Sequence, residues 1–412
     1  MRQVFDQYSQ NENRASHALA TALARDTDFC AAFVKLALPD VRPPHNLKVE
    51  CQSVPGSSVP TEAEAERLGL PDIWIHDGGD WCLLIEAKVT APVSERQLET
   101  HRSRARRQGF TTIYVKTLTA RNNTDAGLLW RDVHQLAKSC RWATIWPALT
   151  AEFLEVLEVR MVHDVTIGDA NLTGFSGIEF GDDGYGWGQA ARLLRQIMNE
   201  LRREPALVAM GVDPDLPGRG AITGRGTMQV WDYLRLAGSA DKDHTHWPHL
   251  TVNITHDAAA AKITLPNSLE RVLRKRMTAL GSVGWRQLAN DLVNCATPLV
   301  SAFPAAVPMC RMIQRRYPSQ RATPYIDCLL EFDLRTCAGG PPVKLQPQWL
   351  DAAFRSWSDR QSNLQLQFGV QFPLDRCPEM KTPAAIHMLR DALLATKPVL
   401  QALGLEHSKQ DA

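Results

Sequence analysis

The sequence predicts an α/β fold. Apolar residues recur at helical spacing over 12–25, 28–38 and 127–140, while β-branched and aromatic runs occupy 47–54, 72–89 and 110–118 between them. The paired glycines Gly78-Gly79 split the middle run into two short strands, the signature of a hairpin.

The first helix, about 12–25, sets Ala15, Ala18, Leu19, Ala22 and Leu23 on one face, and a second amphipathic stretch covers 28–38. A strand over 47–54 leads through a polar loop, 55–69, into the hairpin. Ser94 then caps a helix running to about Gln108. The Thr-, Ile-, Tyr- and Val-rich run 110–118 is another strand. A helix over 127–140 follows, with Leu128, Leu129, Val133, Leu136 and Ala137 facing the core.

The hairpin carries charge where the sequence is otherwise built for burial. Asp72 stands at the start of its first arm, and Glu86 and Lys88 interrupt an apolar second arm, 81–89. Burying ionised groups without partners is costly, so this segment needs a reason for them. Side chains alternate along a strand, so Leu84, Glu86 and Lys88 share one face and Leu83, Ile85 and Ala87 the other. Asp72 falls opposite Glu86 only if the connecting loop has an odd number of residues. A Gly78-Gly79-Asp80 loop, pairing Asp77 with Trp81, satisfies this; a two-residue turn would aim the acids at opposite faces.

Pro71-Asp72, a gap, then Glu86-Ala87-Lys88 resembles the core motif of the PD-(D/E)XK nuclease superfamily. The run Gln97-Leu98-Glu99-Thr100-His101 is similar to the Gln-hydrophobic-x-x-Tyr motif of RecB-like members, with His101 in the tyrosine position. Glu12 stands where many members carry an acid on the first helix. Leu129-Trp-Arg-Asp-Val-His134 resembles the tryptophan-led block of several prokaryotic defence-associated relatives. The likeness covers roughly the first third of the chain. It implies a restriction-endonuclease-like mixed sheet flanked by helices, and hydrolysis of phosphodiesters, DNA in the first instance, in restriction or antiviral defence.

That implied chemistry needs an activated water and neutralisation of charge on the phosphate. Mg²⁺, with Mn²⁺ as a substitute, supplies both when held by a few oxygen ligands. The expected ligands are Asp72 and Glu86, the Ala87 carbonyl, and Glu12 directly or through water. Lys88 would orient or deprotonate the water, and Gln97 would position Lys88 or a substrate phosphate. A buried Glu-Lys pair that satisfies only itself is the bland alternative. For Glu12 the rival is a capping box, because Ser9-Gln10-Asn11-Glu12 has that pattern. A protein that keeps the fold but only binds nucleic acid is the rival for the whole.

His101, Arg102, Arg104, Arg106 and Arg107 form the densest cationic cluster. It is suited to phosphate contact, or is simply a solvated helix end that complements the macrodipole. The whole chain has 46 basic and 45 acidic residues, so attraction to polyanions must be local. No apolar run is long enough to cross a membrane, no leader is evident, and nine scattered cysteines never form Cys-x-x-Cys. These features lead us to expect a soluble, cytoplasmic protein without a structural zinc or a disulfide framework.

At 412 residues the chain is expected to have more than one domain. The expected division is a nuclease-like domain over 1–165, a Gly- and Asp-rich linker or set of turns over 166–188, and a separate α+β region over 189–412. In the last, helices are expected at 187–203, 269–280, 285–300 and 382–403, and strands at 249–255, 261–265, 325–334 and 364–372. Specificity, sensing, oligomerisation or contact with a defence-system partner is its default role. His244, His246 and His249 with Asp241 and Asp243 could bind a transition metal but lack regular ligand spacing. Gly218 to Gly226 has a phosphate-cradle composition without a P-loop ending; Arg219 and Arg225 could touch nucleic acid there. Arg271, Arg274, Lys275 and Arg276 offer a second basic patch or a solvated helix face.

Overall fold

A computed structural model describes the chain except residues 1–4, 6, 7, 9, 54–68, 90, 93, 122–126, 140, 163–169, 182–183, 217, 219–227, 240–242, 317, 319–324, 338–346 and 406–412. It is mixed α/β and divides into two compact units, Met1–Gly174 and Phe175–Ala412. The division falls inside the Gly- and Asp-rich stretch.

The first unit runs α1 (Asn11–Arg25), α2 (Thr27–Ala37), β1 (Lys48–Cys51), β2 (Ile73–His76), β3 (Trp81–Lys88), α3 (Glu95–Arg107), β4 (Thr112–Thr119), β5 (Leu128–Leu129), α4 (Trp130–Lys138) and α5 (Trp146–Met161). Its five strands lie in sequence order. β1, β2 and β3 are antiparallel; β4 and β5 join parallel. The pleat of β3 divides the core. Leu83, Ile85 and Ala87 face the large cluster built with α1, α2, α4 and α5, whereas Cys82 and Leu84 join Trp74, Ala105 and Phe110. Asp72, Glu86 and Lys88 therefore fall on the α3 side of the sheet.

Four details depart from the sequence expectation. Ser94 precedes α3 without a side-chain cap. Residues 127–140 begin as the short strand β5 before turning helical at Trp130. Helix α5 is additional: Pro147 occupies its first turn, and Ala151, Phe153, Leu154, Leu157 and Met161 are buried. Asp26, rather than a residue of the expected stretch, caps α2. Its carboxylate accepts the Phe29 N–H at 3.0 Å and the Thr144 N–H at 2.8 Å, tying α2 to the approach of α5.

The second unit contains α6 (Trp187–Arg202), α7 (Pro205–Ala209), β6 (Gln229–Arg235), β7 (His249–Thr255), β8 (Ala258–Leu265), α8 (Arg271–Ala279), α9 (Gly281–Ala302), β9 (Val307–Arg316), β10 (Tyr325–Asp333), α10 (Pro347–Ser358), β11 (Gln365–Pro373), α11 (Ala385–Leu394) and α12 (Lys397–Leu403). Its six-stranded sheet has the order β10-β9-β11-β8-β7-β6 and is antiparallel throughout. One face is apolar: Leu250, Val252, Ala261, Ile263, Leu366, Phe368 and Val370 are fully buried, with Trp285 of α9 against Phe368 at 5.3 Å. α7, β6, β9 and α10 are additions to the expected elements. The expected helix 382–403 is two helices, α11 and α12, separated at Ala395-Thr396. Among the described residues no helix is long and apolar enough to cross a membrane.

Candidate active site

The hairpin loop has the odd length that the site requires. Ile73 pairs with Ile85, Trp74 with Leu84, Ile75 with Leu83 and His76 with Cys82. The Asp77 N–H then meets the Trp81 carbonyl at 3.3 Å, leaving Gly78, Gly79 and Asp80 as the loop. Gly78 takes the turn at φ 80°, and the Asp77 carboxylate accepts the Gly79 N–H at 2.7 Å. Continuing the register by one residue brings Asp72 opposite Glu86. Asp72 precedes β2 rather than beginning it, and its Oδ2 accepts the Ala87 N–H at 2.8 Å. A strand residue points its N–H and carbonyl to the same side, so the Ala87 carbonyl also faces the Asp72 edge.

Glu86 is 1 % exposed and fully engaged. Lys88 Nζ lies 2.6 Å from Oε1, Gln97 Nε2 donates to the same oxygen at 2.6 Å, and His101 Nε2 is 2.9 Å from Oε2. Gln97 and His101 reach it together because they are one helical turn apart on α3. Burial and the Glu86 charge push Asp72 up to about 7. Burial works against the charge on Lys88. Glu86, then Asp72 and Glu12, more than offset it and hold the ammonium above its ordinary value.

Two sequence expectations change here. His101 does not belong to a nucleic-acid surface: it is wholly buried and spends its Nε2 on Glu86. Arg102, Arg104, Arg106 and Arg107 stay at least partly exposed, with Arg102 and Arg106 sharing Glu99 at 3.2 and 3.3 Å. Glu12 forms no direct metal-ligating group with Asp72 and Glu86 among the described residues, although its charge acts on Lys88. Its Oε1 accepts the Val89 N–H at 2.9 Å and the Ala91 N–H at 3.4 Å, beyond the end of β3. The capping alternative also changes. α1 is preceded by Gln10 without a side-chain cap, and Ser9 lies outside the described residues.

Gln52 and Asn13 belong to the site although the sequence did not mark them. The Gln52 amide donates to Asn13 Oδ1 at 2.8 Å and to Asp72 Oδ1 at 3.5 Å, and its backbone N–H donates to the Asp72 carbonyl at 3.0 Å. Gln52 adopts φ 48°, a region that non-glycine residues seldom occupy. His101 had a usable signal in its four-residue spacing from Gln97. Gln52 had none, because its role depends on β1 pairing with β2, which is distant in sequence.

Asp72 and Glu86 are hard oxygen donors whose mutual repulsion a dication would relieve. The pair with the Ala87 carbonyl and several waters fits Mg²⁺ or Mn²⁺ better than a softer metal. Among the described residues no three His, Cys, Asp or Glu side chains form a metal-ligating group, so water would have to complete the shell. No protein-family model matches this sequence, and no curated protein is significantly similar to it.

The other sequence candidates resolve differently. His244 pairs with Asp243 and stacks on Tyr233 with centroids 5.1 Å apart. His249 is buried, and burial pushes its imidazole down to about 4. Asp241, Arg219 and Arg225 lie outside the described residues. Arg274 serves the interior of its unit, donating to the Trp357 carbonyl at 3.0 Å with its guanidinium 4.7 Å from that ring. Arg276 donates to the Leu403 carbonyl at 2.5 Å.

Proposed function

We propose that the first unit is a metal-dependent phosphodiesterase of the PD-(D/E)XK type, with a restriction-endonuclease-like fold and DNA as its first-choice substrate. The observation that carries this reading is the register that puts Asp72 opposite Glu86 with Lys88 Nζ 2.6 Å from Glu86. Asp72 and Glu86 would hold Mg²⁺ or Mn²⁺ beside the Ala87 carbonyl; when bound, the ion would lower the pKa of a water and neutralise phosphate charge. Lys88 would leave Glu86 to orient the attacking water and offset charge on the phosphate. Gln97 and His101 would keep the Glu86 carboxylate fixed while Lys88 moves. Gln52 would do the same for Asp72. The exposed arginines of α3 would contact backbone phosphate, giving salt-sensitive affinity without sequence preference. A role in prokaryotic restriction or antiviral defence, in the cytoplasm and with a second copy or a defence-system protein as partner, rests on motif likeness alone.

The test is cleavage of plasmid, linear and single-stranded DNA and of RNA with Mg²⁺ or Mn²⁺, wild type beside Lys88→Ala. Metal-dependent cutting that is lost in the folded variant supports the reading. A second reading, a non-cleaving nucleic-acid-binding protein, draws on the saturation of Glu86 by three donors within its own unit. It prevails if calorimetry detects no divalent-ion binding and no substrate is cut.

A further inference from the structure

The six-stranded sheet of the second unit has a polar face, opposite its helix-packed side, that the proposed nuclease chemistry does not use. There Thr264 of β8 lies opposite Gln367 of β11, Gln367 opposite Arg311 of β9, and Arg311 opposite Glu331 of β10. The next row sets Lys262 opposite Gly369. Lys262 and Gln367 are therefore diagonal neighbours on adjacent strands, roughly 7–8 Å apart and within reach of each other's long side chains. Between them stands Gly369, where a Cβ would fall 2.4 Å from the Lys262 Cβ and 2.2 Å from the Ala261 carbonyl oxygen. Any larger residue there would displace the lysine stem.

Both side chains are deeply buried, Lys262 at 5 % exposure and Gln367 at 4 %, and neither is satisfied. Among the described residues no hydrogen bond or ion pair reaches the Lys262 ammonium, and burial pushes it down to about 7. Gln367 Nε2 reaches Thr264 Oγ1 at 3.4 Å, while its Oε1 is buried without a partner. A buried ammonium and a buried amide oxygen left open are both costly, so the pair calls for a complement. Next to Gln367, Arg311 places Nε and Nη2 on the same Glu331 oxygen, Oε2. Arg311 and Glu331 are the open end of the row, with side chains 23 % and 38 % exposed. Arg315 is engaged with the Gln365 amide farther along β9 and takes no part.

We propose that Lys262, Gln367 and Arg311 bind a small α-hydroxy carboxylate that enters from the Arg311–Glu331 end. Its carboxylate meets the Lys262 ammonium and the remaining Arg311 nitrogen, Nη1, and its hydroxyl donates to Gln367 Oε1. Charge and hydrogen-bond character select this class together. Lys262 and Arg311 against Glu331 leave a single uncompensated positive charge, which a monocarboxylate neutralises. A phosphomonoester carries about −1.5 to −2 near neutral pH and overshoots it. A plain carboxylate or a phosphodiester matches the charge but only accepts hydrogen bonds, so Gln367 Oε1 stays an orphan. An α-amino acid supplies a donor but brings its own cation and leaves the excess charge in place. A hydroxyl beside a carboxylate suits a donor and an acceptor that are diagonal neighbours. This site is independent of the nuclease reading, and either can fail alone.

The test is titration calorimetry on the full chain in metal-free buffer with glycolate, lactate, propionate, alanine and inorganic phosphate. A hydroxy acid should bind, and propionate, which lacks only the hydroxyl of lactate, should bind about tenfold more weakly or worse. Lys262→Met should weaken the hydroxy acids about tenfold or more, and it should unfold no earlier than wild type. Gln367→Leu should bring lactate down to the level of propionate and leave propionate unchanged, a selective loss that general damage to the sheet would not produce. Failure of both hydroxy acids to bind at millimolar concentration overturns the proposal. So does equal binding of lactate and propionate, or hydroxy-acid binding that survives Lys262→Met. Tighter binding of alanine or of phosphate than of lactate also overturns it, reassigning the site to a zwitterion or to a phosphate.

Discussion

Each unit buries an ionisable group whose proton affinity has moved to about 7, from opposite directions. In the first, burial and Glu86 raise Asp72; in the second, burial and two arginines lower Lys262. The surroundings differ more than the numbers. Around Asp72 and Glu86 the protein supplies donors: the Ala87 N–H, the amides of Gln52 and Gln97, the His101 ring and the Lys88 ammonium. Around Lys262 it supplies mainly further positive charge, and no hydrogen bond or ion pair reaches the ammonium among the described residues. The first arrangement is largely complete in itself, and on the proposed reading it would trade one donor for a metal ion. The second holds a buried ammonium against burial and like charge.

The largest expected effect tests the first half of that contrast. Lys88→Ala should reduce metal-dependent cleavage by roughly a thousandfold, a loss typical of removing a positioned proton-handling group. Circular dichroism on the same samples checks that the fold is kept. Glu86→Ala strands Lys88 and leaves His101 without its buried partner, so denaturant unfolding should report a loss of about 3 kcal/mol. A loss smaller than a few tenths would mean that the network contributes little to the fold.

In the second unit, Gly369→Ala should cost about 2 kcal/mol, because the new methyl meets backbone as well as the Lys262 stem. Lys262→Met should go the other way and stabilise the ligand-free protein by about 1 kcal/mol, since an unpaired buried charge is replaced by an apolar chain of similar length. Responses of opposite sign to Glu86→Ala and Lys262→Met would sharpen the comparison; destabilisation by both would break it.

The last test is the pH profile of stability. Between the ordinary aspartate value of 3.8 and about 7, the folded state holds a proton on Asp72 that the unfolded chain has released, so this group makes stability fall as pH rises. Between about 7 and the ordinary lysine value of 10.5, the unfolded chain holds the extra proton at Lys262, so stability rises with pH. Asp72→Asn should flatten the lower branch and Lys262→Met the upper. Urea unfolding at a series of pH values reads both.

Much of the first site was legible because it is local. Period-two alternation from Trp81 to Lys88 and the three residues Gly78, Gly79 and Asp80 were enough to place Asp72, Glu86 and Lys88 on one face. Four-residue spacing on α3 did the same for Gln97. His101 was legible as a position but misread as surface, since charge density near it suggested solvent while the fold turns it onto Glu86. α5 escaped notice because its apolar residues are less cleanly segregated than those of α1.

The sequence by itself determined the alternation, the loop parity and the helical spacing that assemble the carboxylate–lysine hairpin, because these depend only on residues a few positions apart. Tertiary structure alone decided that Gln52 steadies Asp72, that Glu12 turns to the Val89 and Ala91 amides, and that Lys262 is buried within reach of the charges of Arg311 and Arg315. Those contacts join strands and helices from about twenty to about eighty residues apart. No local preference encodes them; they exist only once long-range strand pairing and helix packing have repaid the entropy of closing the loops between.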